Sequence, residues 1–337
     1  MSEQTVLVTG GAGYVGSALV PHLLSRGYRV RVLDLFLYGQ AVLSGAEPAD
    51  RLERLAGDIR DVALVKRAVK GCTAVIHLAC ISNDPSFELD PALGKSINYD
   101  AFLPLVRSAA EAGVRRFIYA SSSSVYGLKP DQDVTEEASL EPLTDYSKYK
   151  ALCEDQLRPF QASDFTTVIV RPATICGYAP RQRFDLTVNI LTNHAVNRGT
   201  ITVFGGSQLR PNLHIADMVA LYTQLVTEPS ERVAGKTFNA GFQNRTVSDI
   251  AEIVRDVVSR EMPASRGIDI VTQSTDDLRS YHISSDYIRR ELGFQPQHTI
   301  EDAVSDLCTA FREGRFIDPL TNPLYVNIKR MQEARLQ

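Results

Sequence analysis

The feature that most constrains the fold of this chain is a glycine-rich turn near its start. The run TGGAGYVG at 9–16 follows the apolar segment 6–8 and precedes a segment with helical apolar spacing at 18–24. These patterns predict a buried strand followed by a helix. Glycine allows the positive φ and close backbone approach that such a turn needs, and the N–H groups at a helix N-terminus bind phosphate. The segment therefore predicts a cradle for a dinucleotide.

The residues around the turn bear on which dinucleotide it would hold. The glycines fit two spacings, GxGxxG starting at Gly11 and GxxGxxG starting at Gly10. Asp34 follows a second apolar run at 28–33, about 20 residues beyond the turn, where an acid accepts hydrogen bonds from an adenosine ribose. This carboxylate would repel a 2′-phosphate, and no Lys or Arg follows at 35–38, so the sequence favours NAD over NADP. The alternative is a glycine turn that binds nothing.

Composition excludes several classes of protein. The chain has 337 residues, of which 44% are hydrophobic, enough for two domains or one elaborated domain. A net charge of −4 offers no basic field for nucleic acid or a membrane surface. No apolar run reaches the roughly 18 residues of a membrane-spanning helix, and the first strand begins close to Met1, which predicts a cytoplasmic protein. The five cysteines lack metal-ligand spacing, so we expect neither disulfides nor a metal site.

The order of apolar segments predicts an α/β fold. Strand-like runs alternate with helical patterns in the first half, with later strands at 74–78, 116–120 and 166–171, which is typical of a Rossmann-like, doubly wound parallel sheet. After Arg171, prolines and glycines divide the chain into shorter elements and predict a smaller C-terminal α/β substrate domain. The predicted division is a dinucleotide-binding domain at 1–173 joined by 211–240, a second domain at 174–210 and 241–320, and a tail at 321–337 whose packing the sequence does not indicate.

Three segments outside the strands show helical apolar spacing. They lie at 99–112, 145–157 and 185–198. The first two are candidates for the helix bundle of a homodimer, although packing within one subunit explains their apolar stripes equally well.

Two further motifs carry reactive side chains. Tyr146 and Lys150 lie four positions apart, on one face of the predicted helix. An ammonium close to a tyrosine hydroxyl stabilises the tyrosinate and lowers its pKa from about 10, so that the residue can act as a general base.

The serine run at 121–124 follows a predicted strand, and the carboxyl ends of such strands line the ligand crevice. Alone, each motif has a structural interpretation as a helix-start aromatic or a turn. Their occurrence in order with the glycine turn and Asp34 predicts a single catalytic site.

With these motifs in place, the sequence resembles the extended short-chain dehydrogenases/reductases, in particular the NAD-dependent nucleotide-sugar epimerases and dehydratases similar to UDP-glucose 4-epimerase. The resemblance covers almost the whole chain. The motifs that carry it are TGGAGYVG at 9–16, GDIRD at 57–61, IHLA at 76–79, IN at 97–98, SSSSVYG at 121–127, YSKYK at 146–150, RP at 171–172, RPNLHIAD at 210–217 and LGFQP at 292–296.

The resemblance implies roles for the residues at matching positions. Tyr146 would be the base, Ser122 would hydrogen-bond the reacting sugar hydroxyl, and Lys150 would bind the nicotinamide ribose. The residues implied to bind NAD are Gly10, Gly13, Tyr14, Val15, Asp34, Asp58, Ile59, Leu78, Ala79 and Lys150. The residues implied to bind a nucleotide-diphosphate sugar are Ser122, Ser123, Tyr146, Thr174, Arg183, Asn189, Arg210 and Arg279.

The sequence departs from the common hexose 4-epimerases at two places. Thr174 stands where those enzymes have an asparagine that touches the sugar diphosphate. The segment PRQRFDLTVN at 180–189 resembles a subgroup that includes some nucleotide-heptose 4-oxidoreductases. Arg183 would then contact and select the substrate, or it would stabilise the smaller domain. Arg210 and Arg279 have surface salt bridges as their alternative interpretation.

The serine loop bears on the reaction. The related sugar 4,6-dehydratases carry Asp-Glu just before the Val-Tyr-Gly motif, and uronic-acid decarboxylases carry a Glu, where this chain has Ser123 and Ser124. Without that acid, elimination has no proton donor, which leaves hydride transfer at one carbon, most economically C4. The resemblance therefore implies a 4-epimerase acting through a 4-keto sugar. The alternatives are a 4-dehydrogenase or 4-ketoreductase on an unusual hexose or heptose, and a non-catalytic NAD-binding regulator.

Overall fold

The structure is a computed structural model, which describes residues 4–129, 133–263, 267–275, 280 and 282–334. The strands within these residues are β1 (Thr5–Thr9), β2 (Arg29–Asp34), β3 (Leu52–Ala56), β4 (Ala74–His77), β5 (Arg116–Ala120), β6 (Thr166–Pro172), β7 (Thr174–Cys176), β8 (Thr200–Phe204), β9 (Leu209–His214), β10 (Thr237–Ala240), β11 (Gln243–Thr246) and β12 (Asp269–Gln273).

The largest sheet has the strand order β3, β2, β1, β4, β5, β6, β10, and every neighbouring pair in it is parallel. The order reverses between β1 and β4, and doubly wound sheets bind ligands outside the carboxyl ends of the strands at such a switch point. This arrangement confirms the predicted fold class. Two small sheets stand outside it, β11–β9–β7 and β12–β8. The division into two domains stays a prediction.

Helices flank these sheets and supply most of the connections. The α-helices of the described residues are α1 (Tyr14–Ser25), α2 (Val62–Val69), α3 (Asp84–Glu88), α4 (Pro91–Lys95), α5 (Phe102–Glu111), α6 (Asp145–Leu157), α7 (Thr187–Arg198), α8 (Ile215–Thr227), α9 (Ser230–Val233), α10 (Val247–Glu261), α11 (Asp286–Leu292), α12 (Ile300–Arg312) and α13 (Asn327–Ala334). No helix among these residues is long and apolar enough to span a lipid bilayer.

Three apolar clusters hold the layers together. One face of the large sheet packs against α1 and α8 through residues such as Leu19 and Leu221. The other face packs against α2, α5 and α6, with Phe102 fully buried between them. A third cluster joins α7, α10 and α12 beside the small sheets, with Val254 near its centre. The large sheet is therefore covered on both sides, as an all-parallel sheet requires.

The strand β3 is absent from the sequence-based prediction. It lies at the edge of the large sheet and pairs only with β2, where Leu55 stands beside Leu33. Glu53 and Arg54 within it are exposed. Charged residues are common on edge strands because they discourage further pairing, and here they hide the apolar pattern by which the inner strands are recognised.

The start of α6 fixes the orientation of the YSKYK motif. Thr144 is the N-cap, and its hydroxyl accepts a hydrogen bond from the backbone N–H of Ser147 at 3.3 Å. The Ser147 hydroxyl accepts in return from the backbone N–H of Thr144 at 3.2 Å. This capping box satisfies two helix-end donors and places Tyr146 in the first turn of α6.

Candidate active site

A cavity of about 380 Å³ opens at the carboxyl edge of the large sheet, on the residues that follow β1, β2, β4, β5 and β6. Its size and position are typical of a cofactor and substrate site. The sequence-predicted residues that line it are Gly10, Gly13, Tyr14, Val15, Asp34, Asp58, Ile59, Leu78, Ala79, Ser122, Ser123, Tyr146, Lys150, Thr174 and Arg183. Chain segments far apart in the sequence thus meet in one space.

Two predicted substrate-binding residues, Asn189 and Arg210, are not among the described residues of this lining. Asn189 is fully buried, and its side chain accepts from the backbone N–H of Gly177 at 3.0 Å and donates to the Tyr14 hydroxyl at 3.0 Å. It braces the wall of the cavity. Arg210 lies on β9, opposite Arg245 of β11. Arg279 lies outside the described residues. The substrate contacts of all three stay predictions.

The glycine turn leaves no room for side chains. A Cβ on Gly10, whose φ is +72°, would stand 2.6 Å from the backbone nitrogen of Ala79, and one on Gly16 would stand 2.5 Å from the carbonyl oxygen of Gly10. Gly13 is the N-cap of α1, and no side chain of the described residues caps that helix end. The N-terminus of α1 is therefore open toward the cavity, as binding of a dinucleotide diphosphate requires.

Asp34 ends β2 beside this turn. Its carboxylate accepts hydrogen bonds from the backbone N–H groups of Ala12 at 2.9 Å and Phe36 at 2.7 Å. Burial raises the pKa of Asp34, and the two backbone hydrogen bonds oppose that rise. A carboxylate offers about four acceptor positions, so two remain for the hydroxyls of a ribose. The turn and Asp34 together fit an adenine dinucleotide without a 2′-phosphate.

Tyr146, Ser122 and Lys150 line the same cavity. Burial raises the pKa of Tyr146 well above its ordinary value, and the nearby Cys80 and Asp84 raise it further. The Arg183 guanidinium and a hydrogen bond with Ser122 lower this pKa. The phenol is therefore neutral at physiological pH in the protein alone.

The expected influence of Lys150 on the pKa of Tyr146 stays a prediction. The Lys150 ammonium donates to the carbonyl oxygen of Ala120 at 2.6 Å and stands 5.9 Å from the centre of the Tyr146 ring. The Arg183 guanidinium lowers the pKa of Tyr146. The Lys150 side chain is turned to the end of β5.

The serine loop is organised by its own hydroxyls. Ser122 caps a short 3₁₀ turn, Ser123–Tyr126, by accepting from the backbone N–H of Ser124 at 3.1 Å. The Ser122 and Ser124 hydroxyl oxygens lie 2.8 Å apart, in a hydrogen bond. The carboxylates of the described lining belong to Asp34, Asp58 and Asp84, none of them in this loop. The loop thus presents hydroxyls and no acid to the cavity.

Several lining residues were missed by the sequence analysis. They come from the loops after β2 and β4, from the segment before α7, and from α13, and include Tyr38, Ser82, Arg181 and Asn327. Arg181 lies in the PRQRFDLTVN segment that the sequence analysis singled out, two residues before Arg183. No local pattern marks Tyr38, Ser82 and Asn327, because each reaches the cavity only through the fold. Arg183, which was predicted, donates to Asp185 at 2.8 Å and to the Ser82 hydroxyl at 3.2 Å, and its Nη2 is buried without a partner among the described residues.

Comparison with known proteins assigns the family. The model of the NAD dependent epimerase/dehydratase family matches residues 6–241, which include the glycine turn, Asp34, the serine loop and YSKYK. The chain belongs to this family. Membership confirms the resemblance seen in the sequence, and it confirms NAD as the cofactor that the glycine turn and Asp34 fit.

Members of the NAD dependent epimerase/dehydratase family with different reactions are similar to this chain. The UDP-glucose 4-epimerase of Mycolicibacterium smegmatis is 30% identical, over 91% of this chain and 98% of its own. The dTDP-glucose 4,6-dehydratase of Streptomyces niveus is 28% identical, over 94% and 96%. The solved dTDP-glucose 4,6-dehydratase of Streptomyces venezuelae, with NAD bound, is 26% identical over 93% and 98%, with a TM-score of 0.80. Identity alone does not separate these two reactions.

Proposed function

We propose that this protein is an NAD-dependent nucleotide-sugar 4-epimerase that acts through a transient 4-keto sugar. One observation carries the proposal: Tyr146, Ser122 and the glycine turn line a single cavity, while the loop beside Tyr146 presents serines and no carboxylate. The shared lining of Tyr146, Ser122 and the glycine turn favours removal of hydride from a sugar alcohol. The lack of a carboxylate in the serine loop argues against the elimination of water.

The chemistry is assigned to the chain's residues as follows. NAD, when bound, supplies a reversible hydride acceptor. Tyr146 takes the proton of the C4 hydroxyl and returns it. Ser122 forms a hydrogen bond with the same sugar oxygen and holds it in position. Burial keeps the Tyr146 phenol protonated, so a nearby positive charge is needed to make it a base, and Arg183 supplies part of that charge.

A dehydratase would need a further acid to carry the departing hydroxyl. The Ser122 and Ser124 hydroxyls are hydrogen-bonded to each other, and a serine hydroxyl is far too weak an acid for this step. Asp84 also lines the cavity, but its carboxylate accepts a hydrogen bond from the Thr144 hydroxyl at 2.7 Å, at the start of α6. This arrangement favours hydride transfer at one carbon, as in the epimerase relatives.

A net 4-dehydrogenase or 4-ketoreductase would use the same residues and differ only in whether the keto sugar leaves. Thr174 gives this second candidate its support, because it lines the cavity where the common hexose 4-epimerases have an asparagine. Weaker retention of the sugar would let the keto intermediate escape.

The test is to mix the purified protein, without added cofactor, with UDP-, GDP-, CDP- and dTDP-sugars. Absorbance at about 340 nm follows reduced cofactor, and NMR identifies the products. A sugar inverted at C4 without lasting NADH supports the epimerase. A keto sugar with stoichiometric NADH establishes the dehydrogenase instead, and a 6-deoxy-4-keto sugar contradicts both.

A further inference from the structure

Arg181 is a buried cation whose place beside α1 is fixed by the backbone. Its backbone N–H donates to the hydroxyl of Ser17, in the first turn of α1, at 3.1 Å. The residue is only 3% exposed, and it lines the same cavity as Gly10, Gly13 and Asp34. The backbone of Arg181 is thus fixed at the end of α1 where a helix attracts anions, and the residue lines the cavity there.

The guanidinium is oriented by the C-terminal helix α13. Arg181 donates through Nη2 to the side-chain oxygen of Asn327, the first residue of α13. It also stacks on Tyr38, with its Cζ 3.6 Å from the ring centre. The Tyr38 hydroxyl donates to the same Asn327 oxygen at 2.9 Å. Arg181 is therefore held by two neutral groups, Tyr38 and Asn327.

Asn327 is itself held in place on every side. Its backbone N–H donates to Asp185 at 3.0 Å, and its amide nitrogen donates to the hydroxyl of Ser82 at 2.8 Å. Farther along α13, Arg330 donates to the carbonyl oxygen of Leu37 at 2.6 Å, and Met331 is buried against the cavity. The described part of the tail, whose packing the sequence left open, thus packs at the cavity that Asp34 and the glycine turn line.

The Arg181 guanidinium keeps an unpaired donor. Its Nε is buried without a hydrogen-bond partner among the described residues, and Asp185, a carboxylate that acts on its charge, accepts hydrogen bonds from Arg183 and Asn327 instead. Burial lowers the pKa of Arg181 to about 10, so the group is still protonated at neutral pH. The other cations of the described lining have partners, Lys150 on Ala120 and Arg183 on Asp185. A buried cation in this state is stabilised by an incoming anion.

We propose that Arg181 binds the diphosphate of the dinucleotide beside the N-terminus of α1, and that Asn327 is the positioning residue that holds it there. A guanidinium suits this ligand because its planar donors match phosphate oxygens. The C-terminal segment then forms part of the cofactor site. The inference rests on the NAD dependence of the family and not on the 4-epimerase reaction.

A nucleotide sugar also carries a diphosphate, so the two sources must be compared. Arg181 stacks on Tyr38, in the loop that follows Asp34, and its backbone N–H is bonded to Ser17 of α1. Arg183 instead donates to Ser82, in the loop that follows β4. These contacts place Arg181 beside the turn and the strand end that fit the dinucleotide.

The experiment measures binding by calorimetry to nucleotide-free protein, with NAD, ADP-ribose, adenosine and UDP as probes. The variants are Arg181→Met, which keeps the bulk and removes the charge, and Asn327→Ala. Lys329→Ala is the matched control, since Lys329 is an exposed cation on the same helix. We expect Arg181→Met to weaken NAD and ADP-ribose about 10- to 100-fold, as loss of a charged hydrogen bond does. Asn327→Ala should weaken them by a smaller factor.

Adenosine has no phosphate, so its affinity should not change in either variant, and Lys329→Ala should bind every probe normally. Equal weakening of adenosine and ADP-ribose would show a merely structural role and overturn the proposal. A loss of affinity for UDP alone would assign Arg181 to the substrate's diphosphate and overturn the proposal. Unchanged affinities for all the probes would also overturn the proposal. If Arg181→Met does not fold, the Asn327→Ala pattern decides. No readout involves turnover, so failure here would leave the proposed reaction untouched.

Discussion

The Arg183 guanidinium lowers the pKa of the Tyr146 phenol, although the two residues lie on opposite sides of β6 in the chain. Burial raises this pKa by more than Arg183 lowers it, so the phenol is neutral in the protein alone. Arg183 is in turn fixed by Asp185 and Ser82. The strength of the proposed base thus depends on a loop that precedes α7.

Replacement of Tyr146 by Phe tests the base. We expect turnover to fall about 10²- to 10⁴-fold, because the variant keeps the ring and loses the group that accepts the proton. NAD affinity should be unchanged. Tyr149→Phe is the control, since Tyr149 lies on the same helix and packs against Phe87 and Tyr99. Near-normal turnover in Tyr146→Phe would remove the assignment.

Replacement of Arg183 by Met tests the source of the positive charge. The cation lowers the pKa of Tyr146, so its removal should raise that pKa and move the rise of kcat with pH to higher pH. The pH dependence of kcat, measured at saturating substrate, checks this. Arg198→Met is the control, because Arg198 is exposed at the end of α7. A purely bracing Arg183 would leave the profile in place and lower only thermal stability.

Replacement of Asp34 by Ala tests cofactor choice. The variant loses two charge-assisted acceptors for the ribose, so NAD affinity should fall about 10-fold or more. NADP should lose much less, because its 2′-phosphate no longer meets a carboxylate. Binding of both dinucleotides is measured beside Glu53→Ala, a change at an exposed acid on β3. Equal losses for NAD and NADP would contradict the argument from Asp34.

His77 gives a pH dependence of stability. It is buried at the end of β4, where its Nδ1 lies 2.7 Å from the Thr9 hydroxyl, and burial lowers its pKa to about 3. In the unfolded chain the pKa is about 6.5, so between these values the unfolded state binds more protons and stability falls as the pH falls.

From pH 7 to pH 5 this residue should cost about 2 kcal/mol of unfolding free energy. Urea unfolding at the two pH values, in wild type and His77→Gln, measures the difference. In His77→Gln, the part of the pH dependence of the unfolding free energy that His77 contributes should be lost. An identical pH dependence in both proteins would show that His77 does not carry it.

The parts of the site that the sequence predicted are those that short sequence motifs mark. The glycine turn, Asp34 and the serine loop each stand at the end of an apolar strand, and Tyr146 and Lys150 share one helical face. Such patterns follow from backbone geometry, which acts over a few residues. They were sufficient for the doubly wound sheet, NAD and the family. The edge strand β3 escaped because its exposed charges interrupt the pattern.

Other properties stay predictions. The homodimer, the cytoplasmic location and the division into domains have no test in a single chain. The substrate contacts of Asn189, Arg210 and Arg279 remain expectations. The structure shows the Asn189 amide bonded to Tyr14 and Gly177 in the interior.

By itself, the sequence determined the architecture and the end of the sheet at which ligands bind, because apolar periodicity and glycine placement act locally. Only the tertiary structure decided which charges meet in the cavity. It placed Arg183 near Tyr146, turned Lys150 to Ala120, and brought Asn327 onto Arg181. These contacts join segments that are distant in the chain, and the free energy that selects them comes from burial and charge pairing across the whole fold, which no local pattern records.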